Sequence, residues 1–263
     1  MTTPNFDFTG KNVMVFGGTS GINLGIAKGF AAAGARLGVA SRSQDKVDAA
    51  VAALGNDAGP ALGFSLDVRD AQAVVDAVAS FASERGTIDV LVSGAAGNFP
   101  AAAAALSPNG FKAVVDIDLM GTFHVMRAAY GALTKPGASI INLSAPQAWI
   151  AMPMQMHVCA AKAGVDMVTR TLALEWGREG VRVNSVSPGP IEGTEGMERL
   201  APTPEAKERS AKAVPLGRMG TVEDIADVCL FLASDAARYV NGAVIPVDGG
   251  WSAGGMLSTA MGG

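Results

Sequence analysis

The chain has 263 residues, longer than the commonest domain size, yet α/β chains of this length form one domain around one sheet, so a single domain over 1–263 is expected. Hydrophobic residues make up 49% and charged residues only 17%, which buries enough apolar surface to offset chain entropy and excludes extensive disorder. The formal net charge of -4, with both signs interspersed, leaves no broad cationic field for nucleic acid or anionic lipid. Cys159 and Cys229 fit no metal-ligand spacing, and no metal site is expected; two thiols in so long a chain point to a reducing compartment, read as the cytoplasm. The start Met1-Thr2-Thr3-Pro4-Asn5-Phe6-Asp7 lacks the basic and apolar parts of a signal peptide, and no apolar run reaches membrane-spanning length.

In chain order, short apolar runs predict seven strands: Asn12 to Phe16, Arg36 to Ala40, Ala61 to Leu66, Ile88 to Val92, Ser139 to Leu143, Val181 to Val186 and Ala243 to Val247. Between them, Gly25 to Ala33, Ala71 to Arg85, Gly110 to Leu133, His157 to Arg178 and Val222 to Ala233 have helical spacing. Strands apolar on both faces, alternating with helices, predict a doubly wound parallel sheet with ligands bound beyond the carboxyl ends of its strands. The polar stretch from Glu192 to Arg209, within a segment of about 192–215, reads as a helical lid over that crevice. The small residues from Ser252 onward read as a tail or as a segment packing on a neighbouring subunit.

Gly17-Gly18-Thr19-Ser20-Gly21-Ile22-Asn23-Leu24-Gly25 follows the first strand and opens a helix. Glycines there permit a tight turn and bring backbone N–H groups to a pyrophosphate at the positive helix end, which marks Gly17, Thr19, Ser20, Gly21 and Ile22 as dinucleotide-binding candidates. The second strand ends Ala40-Ser41-Arg42-Ser43 without the acidic residue that binds a free ribose 2′-hydroxyl. Ser41 and the Arg42 guanidinium instead suit the 2′-phosphate of NADP, with an ordinary solvated arginine as the competing reading.

The glycine segment resembles the TGxxxGxG fingerprint of the short-chain dehydrogenase/reductase family, with Phe16 in place of threonine and Asn23 in place of the last glycine. Asparagine tolerates left-handed dihedrals, so the turn is expected to survive, but its side chain must find room beside the pyrophosphate. The resemblance implies a Rossmann fold with strand order 3-2-1-4-5-6-7. It also places Asp67, Val68, Gly94 and Ala95, and the string Pro188-Gly189-Pro190-Ile191 with Pro188, Gly189 and Ile191, along the cofactor crevice.

In that family a serine follows strand five and a YxxxK pair lies on the next helix. Lys162 matches the lysine, which holds the nicotinamide ribose, but Val158 stands for the tyrosine and Ala145, one after Ser144, for the serine. An ordinary carbonyl-reductase mechanism has therefore lost its acid and its oxyanion partner. The strings Ala95-Ala96-Gly97-Asn98-Phe99, Asp116-Ile117-Asp118, Gln155-Met156-His157, Gly193-Thr194-Glu195-Gly196 and Asp248-Gly249-Gly250 resemble the 2,4-dienoyl-CoA reductases, especially the peroxisomal kind, which also lack that tyrosine.

The narrower resemblance implies NADPH-dependent hydride delivery to the δ-carbon of a dienoyl thioester, followed by protonation of the dienolate at the α-carbon. It implies that Asn98 donates to the thioester oxygen, that Asp118 and Asp248 position a water, and that Lys162 keeps its ribose role. Gln147 occupies the position of a further tyrosine found in mitochondrial-type enzymes. Bland alternatives stand beside these roles: Asn98 capping a turn, Asp118 accepting a structural bond, Asp248 anchoring the last loop. His157 adjoins the tyrosine gap but points about 100° away from residue 158, so a substrate or water contact competes with a structural role. Cys159 and His124 read as structural, the methionines Met152, Met154 and Met156 as acyl-chain contacts or core filling, and Lys207, Arg209 and Arg218 as CoA-phosphate contacts or solvated charges. Reduction of another enoyl thioester or conjugated carbonyl, or a catalytically silent NADP-binding scaffold, are the rival functions. The family resemblance further implies a homotetramer built through Gly110 to Leu133, His157 to Arg178 and the last strand, with an acyl-CoA substrate and no nucleic-acid or membrane partner.

Overall fold

Strand β1 (Asn12–Phe16) is buried at all five positions because its two faces serve two different cores. Val13 and Val15 face a layer with Ile26, Phe30 and Ile225, whereas Met14 and Phe16 face Phe81, Leu91 and Val125. Period-two alternation between two apolar layers is what produces a continuous apolar run in the sequence. In the computed structural model, which describes residues 6–254, this strand is central to the sheet.

The chain continues through α1 (Gly21–Ala32), β2 (Arg36–Ser41), α2 (Gln44–Leu54), β3 (Leu62–Ser65), α3 (Ala71–Arg85) and β4 (Val90–Ser93). Then come α4 (Pro108–Val115), one π turn over Asp116–Met120, α5 (Gly121–Ala129), β5 (Ser139–Leu143), α6 (Met156–Trp176) and β6 (Arg182–Pro188). Helices α7 (Glu195–Leu200), α8 (Pro204–Lys212) and α9 (Val222–Ala233) precede β7 (Val244–Val247). All seven strands are parallel in the order β3-β2-β1-β4-β5-β6-β7, as the sequence implies. Residues 255–263, most of the segment read as a tail or subunit contact, lie outside the described residues.

Two elements depart from the sequence reading. Helix α2 is not among the predicted helices; its buried stripe is only Val47, Ala50 and Leu54, and alanines dilute the periodic signal. The segment Gly110 to Leu133, read as one helix, is α4 and α5 joined through the π turn, which inserts one residue into the helical register. The excursion over the crevice is two short helices, capped by the side chains of Thr194 and Thr203. Among the described residues no helix is long and apolar enough to cross a membrane.

Helix α9 lies against α1 where α1 lacks side chains. A Cβ on Gly25 would sit 2.5 Å from Val222 Cβ, and one on Gly29 would sit 3.1 Å from Ala226 Cβ. Replacing Gly25 with valine should cost about 1–3 kcal/mol by overpacking, read as a lower urea midpoint with an unchanged m-value.

Candidate active site

The crevice opens at the carboxyl ends of the central strands. After β1 the chain turns through Gly17 (φ +80°) and Gly21 (φ +52°), conformations that side chains resist. A Cβ on Gly17 would also lie 2.9 Å from Ala95 N, and one on Gly18 2.9 Å from Val15 O. The first intrahelical bond of α1 runs from Leu24 N–H to Ser20 O, and the Ser20 side chain caps nothing. The N–H groups of Gly21, Ile22 and Asn23 therefore precede the helical ladder at the positive end of the helix. This uncapped start beside a glycine cradle fits a pyrophosphate.

Ser41, Arg42, Asp67 and Val68, together with Gly17, Ser20, Gly94 and Ala95, line the pocket on one side of that turn. Arg42 is exposed and makes no ion pair among the described residues, while Asp67 is paired to Arg69 at 2.6 Å. The hydrogen bond from Arg69 holds the Asp67 carboxyl below its ordinary range. The Val68 carbonyl lies 2.8 Å from His124 Nδ1; a carbonyl only accepts, so Nδ1 donates and His124 is structural.

The second half of the crevice is lined by Ile22, Asn98, Asp118, Ser144, Val158 and Lys162, among others. Lys162 Nζ donates to the Leu143 carbonyl at the end of β5, 2.9 Å away, and lies 3.3 Å from Asp118 Oδ2. Asp118 Oδ1 accepts the Gly97 N–H at 2.7 Å. Both side chains are nearly sealed from solvent, at 8% for Lys162 and 1% for Asp118. The π turn carries Asp118, and Gly164 lets α6 come close beneath it, since a Cβ there would lie 2.8 Å from Leu119 Cδ2. The lysine and the aspartate pair by charge without an aligned hydrogen bond, which leaves Asp118 Oδ2 a buried acceptor lacking a donor. Asn98 stands on the exposed loop after β4, and its amide makes no hydrogen bond among the described residues. Val158 is buried and presents only methyl groups where the family carries a tyrosine.

Not every expected residue reaches the crevice. Asp248 accepts from the N–H groups of Gly250 and Ser252, each at 2.9 Å, anchors the loop after β7, and lines a different pocket from the one that Asp118 and Lys162 line. Ile191, three residues beyond β6, is 2% exposed in the core and lines neither half of the crevice; its carbonyl accepts the Thr194 hydroxyl. Thr19 is buried in the turn rather than lining it. Pro188 lines the Lys162 pocket, and Pro188 and Gly189 line an adjoining apolar pocket with Met152, Met197, Leu200 and Arg209 beneath α7 and α8. Of the three cations considered for a CoA phosphate, Lys207 pairs with Glu198 at 2.6 Å and Arg218 with Asp224 at 2.6 Å, while Arg209 has no ion pair among the described residues. Asn23 is inside α1 with no positive φ, so its position demands space rather than a left-handed backbone.

Sequence reasoning passed over Asp166, one turn beyond Lys162 on the buried face of α6. The i, i+4 spacing of two ionisable residues on an apolar face was the available signal. Burial raises the Asp166 carboxyl above its ordinary range, against the opposing pull of the Ser144 hydroxyl, Arg170 and Lys162. The Ser144 hydroxyl and Asp166 Oδ1 are nonetheless buried without an aligned partner. His157 is also fully buried behind the pocket wall, 4.6 Å from the Phe99 ring, with both nitrogens unpartnered.

A doubly wound sheet with a glycine-rich phosphate turn and a buried lysine at the strand ends defines a nicotinamide-dinucleotide oxidoreductase. The chain belongs to the short-chain dehydrogenase/reductase family: the family model described as "Enoyl-(Acyl carrier protein) reductase" matches residues 17–252. It is 43% identical to a peroxisomal 2,4-dienoyl-CoA reductase, (3E)-enoyl-CoA-producing, of Arabidopsis thaliana, over 92% of this chain and 84% of that protein. It is 41% identical to a probable 2,4-dienoyl-CoA reductase, (2E)-enoyl-CoA-producing, of Bacillus subtilis, over 91% and 96% of the two chains. A crystal structure of a short chain dehydrogenase from Bacillus anthracis matches with a TM-score of 0.82 at 38% identity, covering 92% of this chain and 96% of that one.

The raised Asp166 has a stability consequence. Its folded proton affinity exceeds the unfolded one, so its contribution is greatest below the ordinary carboxylate value and is lost as pH rises through the folded value. Asp166→Asn should therefore raise Tm at about pH 7 and lose most of that gain near about pH 4, as followed by thermal melts at both.

Proposed function

We propose that the protein reduces 2,4-dienoyl-CoA thioesters to enoyl-CoA with NADPH. The observation that carries this reading is the uncommitted Asn98 amide beside the Lys162–Asp118 pair, in a pocket where residues 145 and 158 supply no hydroxyl. Reducing a ketone requires a group to protonate an alkoxide; this pocket has no tyrosine for that. Reducing a conjugated thioester requires instead a donor for an oxygen that gains charge as the dienolate forms, and an amide supplies one.

A nicotinamide dinucleotide, held by the glycine turn and Lys162, would supply the hydride for the δ-carbon of the acyl chain. The free guanidinium of Arg42 and the absence of a carboxylate at the end of β2 favour NADPH over NADH. Lys162, held by the Leu143 carbonyl, takes the ribose hydroxyls; Asn98 donates to the thioester oxygen. Asp118 Oδ2 lacks a donor and would hold a water that delivers the proton to the α-carbon, the hydroxide left behind regaining a proton from solvent. Asp248 is an anchor for the last loop in this reading rather than a reacting group. The apolar pocket beneath α7 and α8 takes the acyl chain under a lid, and Arg209 meets a CoA phosphate.

We further propose a homotetramer that packs through α5 and α6. Phe123, Met167 and Leu174 are 45%, 58% and 81% exposed on these helices and Met120, at the end of the π turn before α5, is 40% exposed; exposed apolar side chains of that kind mark an interface. The two free cysteines fit a reducing compartment such as the cytoplasm.

Mixing the protein with NADPH and 2,4-hexadienoyl-CoA should bleach NADPH absorbance rapidly, with little reaction from NADH or crotonyl-CoA; NADPH binding without dienoyl turnover would overturn the reading. Asn98→Ala should lower kcat about 100- to 1,000-fold with a smaller change in KM, measured by steady-state kinetics. Paired Phe123→Glu and Met167→Glu substitutions should reduce the sedimentation coefficient to that of a smaller species.

A further inference from the structure

Asn23 departs from the family fingerprint, and its side chain has specific work in the crevice. Its Nδ2 donates to the Gly94 carbonyl at 2.8 Å, tying the first turn of α1 to the loop after β4. A carbonyl accepts only, so the nitrogen assignment is fixed by its partner, and Oδ1 is left buried without a donor. A Cβ on Gly94 would overlap Oδ1 and lie 2.6 Å from Asn23 Cγ; the three nearest atoms it would meet all belong to Asn23. Gly94 has no positive φ, so its backbone makes no demand for glycine, and the space it leaves is filled by the asparagine.

Among the described residues only Asn23, Gly94 and Ala96 line both halves of the crevice, the Arg42 side and the Lys162 side. They form the neck that a dinucleotide must cross. We infer that Asn23 is a positioning residue that sets this neck, holding the two loops at the spacing where the cofactor passes from its adenosine half to its nicotinamide half. The inference rests on the dinucleotide reading proposed above. In place of a glycine, which would leave the loops joined by backbone contacts alone, the chain carries a hydrogen-bonded brace, and the brace obliges residue 94 to be glycine. The ordering of the loops is then completed before the cofactor arrives, which lowers the entropy lost on binding.

Two measurements test the brace. The first titrates wild type and Asn23→Ala with NADPH and with adenosine 2′,5′-bisphosphate, which occupies the adenosine half without crossing the neck. Loss of one positioned hydrogen bond should weaken NADPH about tenfold and leave the bisphosphate within about twofold. Unchanged NADPH binding, or equal weakening of both ligands, would overturn the inference; a wild type that binds neither NADPH nor NADH would overturn the cofactor reading itself and the inference with it.

The second measurement needs no cofactor. Gly94→Ala should lower Tm markedly in the wild-type background and far less in Asn23→Ala, because truncation removes the three atoms the new methyl would meet. An equal loss in both backgrounds would contradict the brace. Asn23→Gly repeats the cycle should the alanine variant fold poorly.

Discussion

The Lys162–Asp118 pair is the constraint on which the rest of the site depends. A lysine and a carboxylate buried together are stable only while each is held by further bonds, and here the Leu143 carbonyl and the Gly97 N–H provide them. These four groups come from α6, the π turn, the end of β5 and the loop after β4, so a single charge pair fixes the relative position of four elements. Gly164 allows the close approach that brings α6 to the π turn. Losing either charge would strand the other in a nearly dry pocket, with consequences for fold and chemistry together.

The chemistry follows from what this arrangement omits. Val158 and Ala145 supply no hydroxyl at the two positions where the family carries one, the Ser144 hydroxyl in the pocket lining is buried, and in the proposed reading the Asn98 amide meets a developing oxyanion. Under that proposal the site performs conjugate addition of hydride, in which charge is spread along the acyl chain and the proton arrives later. Asp118 Oδ1 orders the loop carrying Asn98, and its buried Oδ2, which lacks a donor, is the atom proposed to hold the water.

Much of this was legible in the sequence because the relevant signals are local. Seven apolar runs, the glycine turn after the first, and Lys162 with Val158 four residues before it mark the sheet, the phosphate cradle and the missing acid without any contact information. What escaped depended on three-dimensional placement. The π turn is a one-residue change of register inside an otherwise helical segment, and period counting does not resolve it. Helix α2 hid behind alanines. Asp248 sits beside two glycines in a motif that suggests chemistry, yet two backbone N–H groups consume its oxygens. Asn23 looked like a turn residue, whereas its side chain reaches across to Gly94, an approach no sequence spacing reveals.

The central claim is the direction of hydride transfer, and isotopic labelling addresses it most directly. NADPH deuterated on its transferable hydrogen, incubated with the protein and a 2,4-dienoyl-CoA in ordinary water, should give an enoyl-CoA carrying one deuterium at the δ-carbon and a solvent proton at the α-carbon, read by mass spectrometry and NMR. Deuterium at the carbonyl carbon or the β-carbon, or a product without label, would contradict the account.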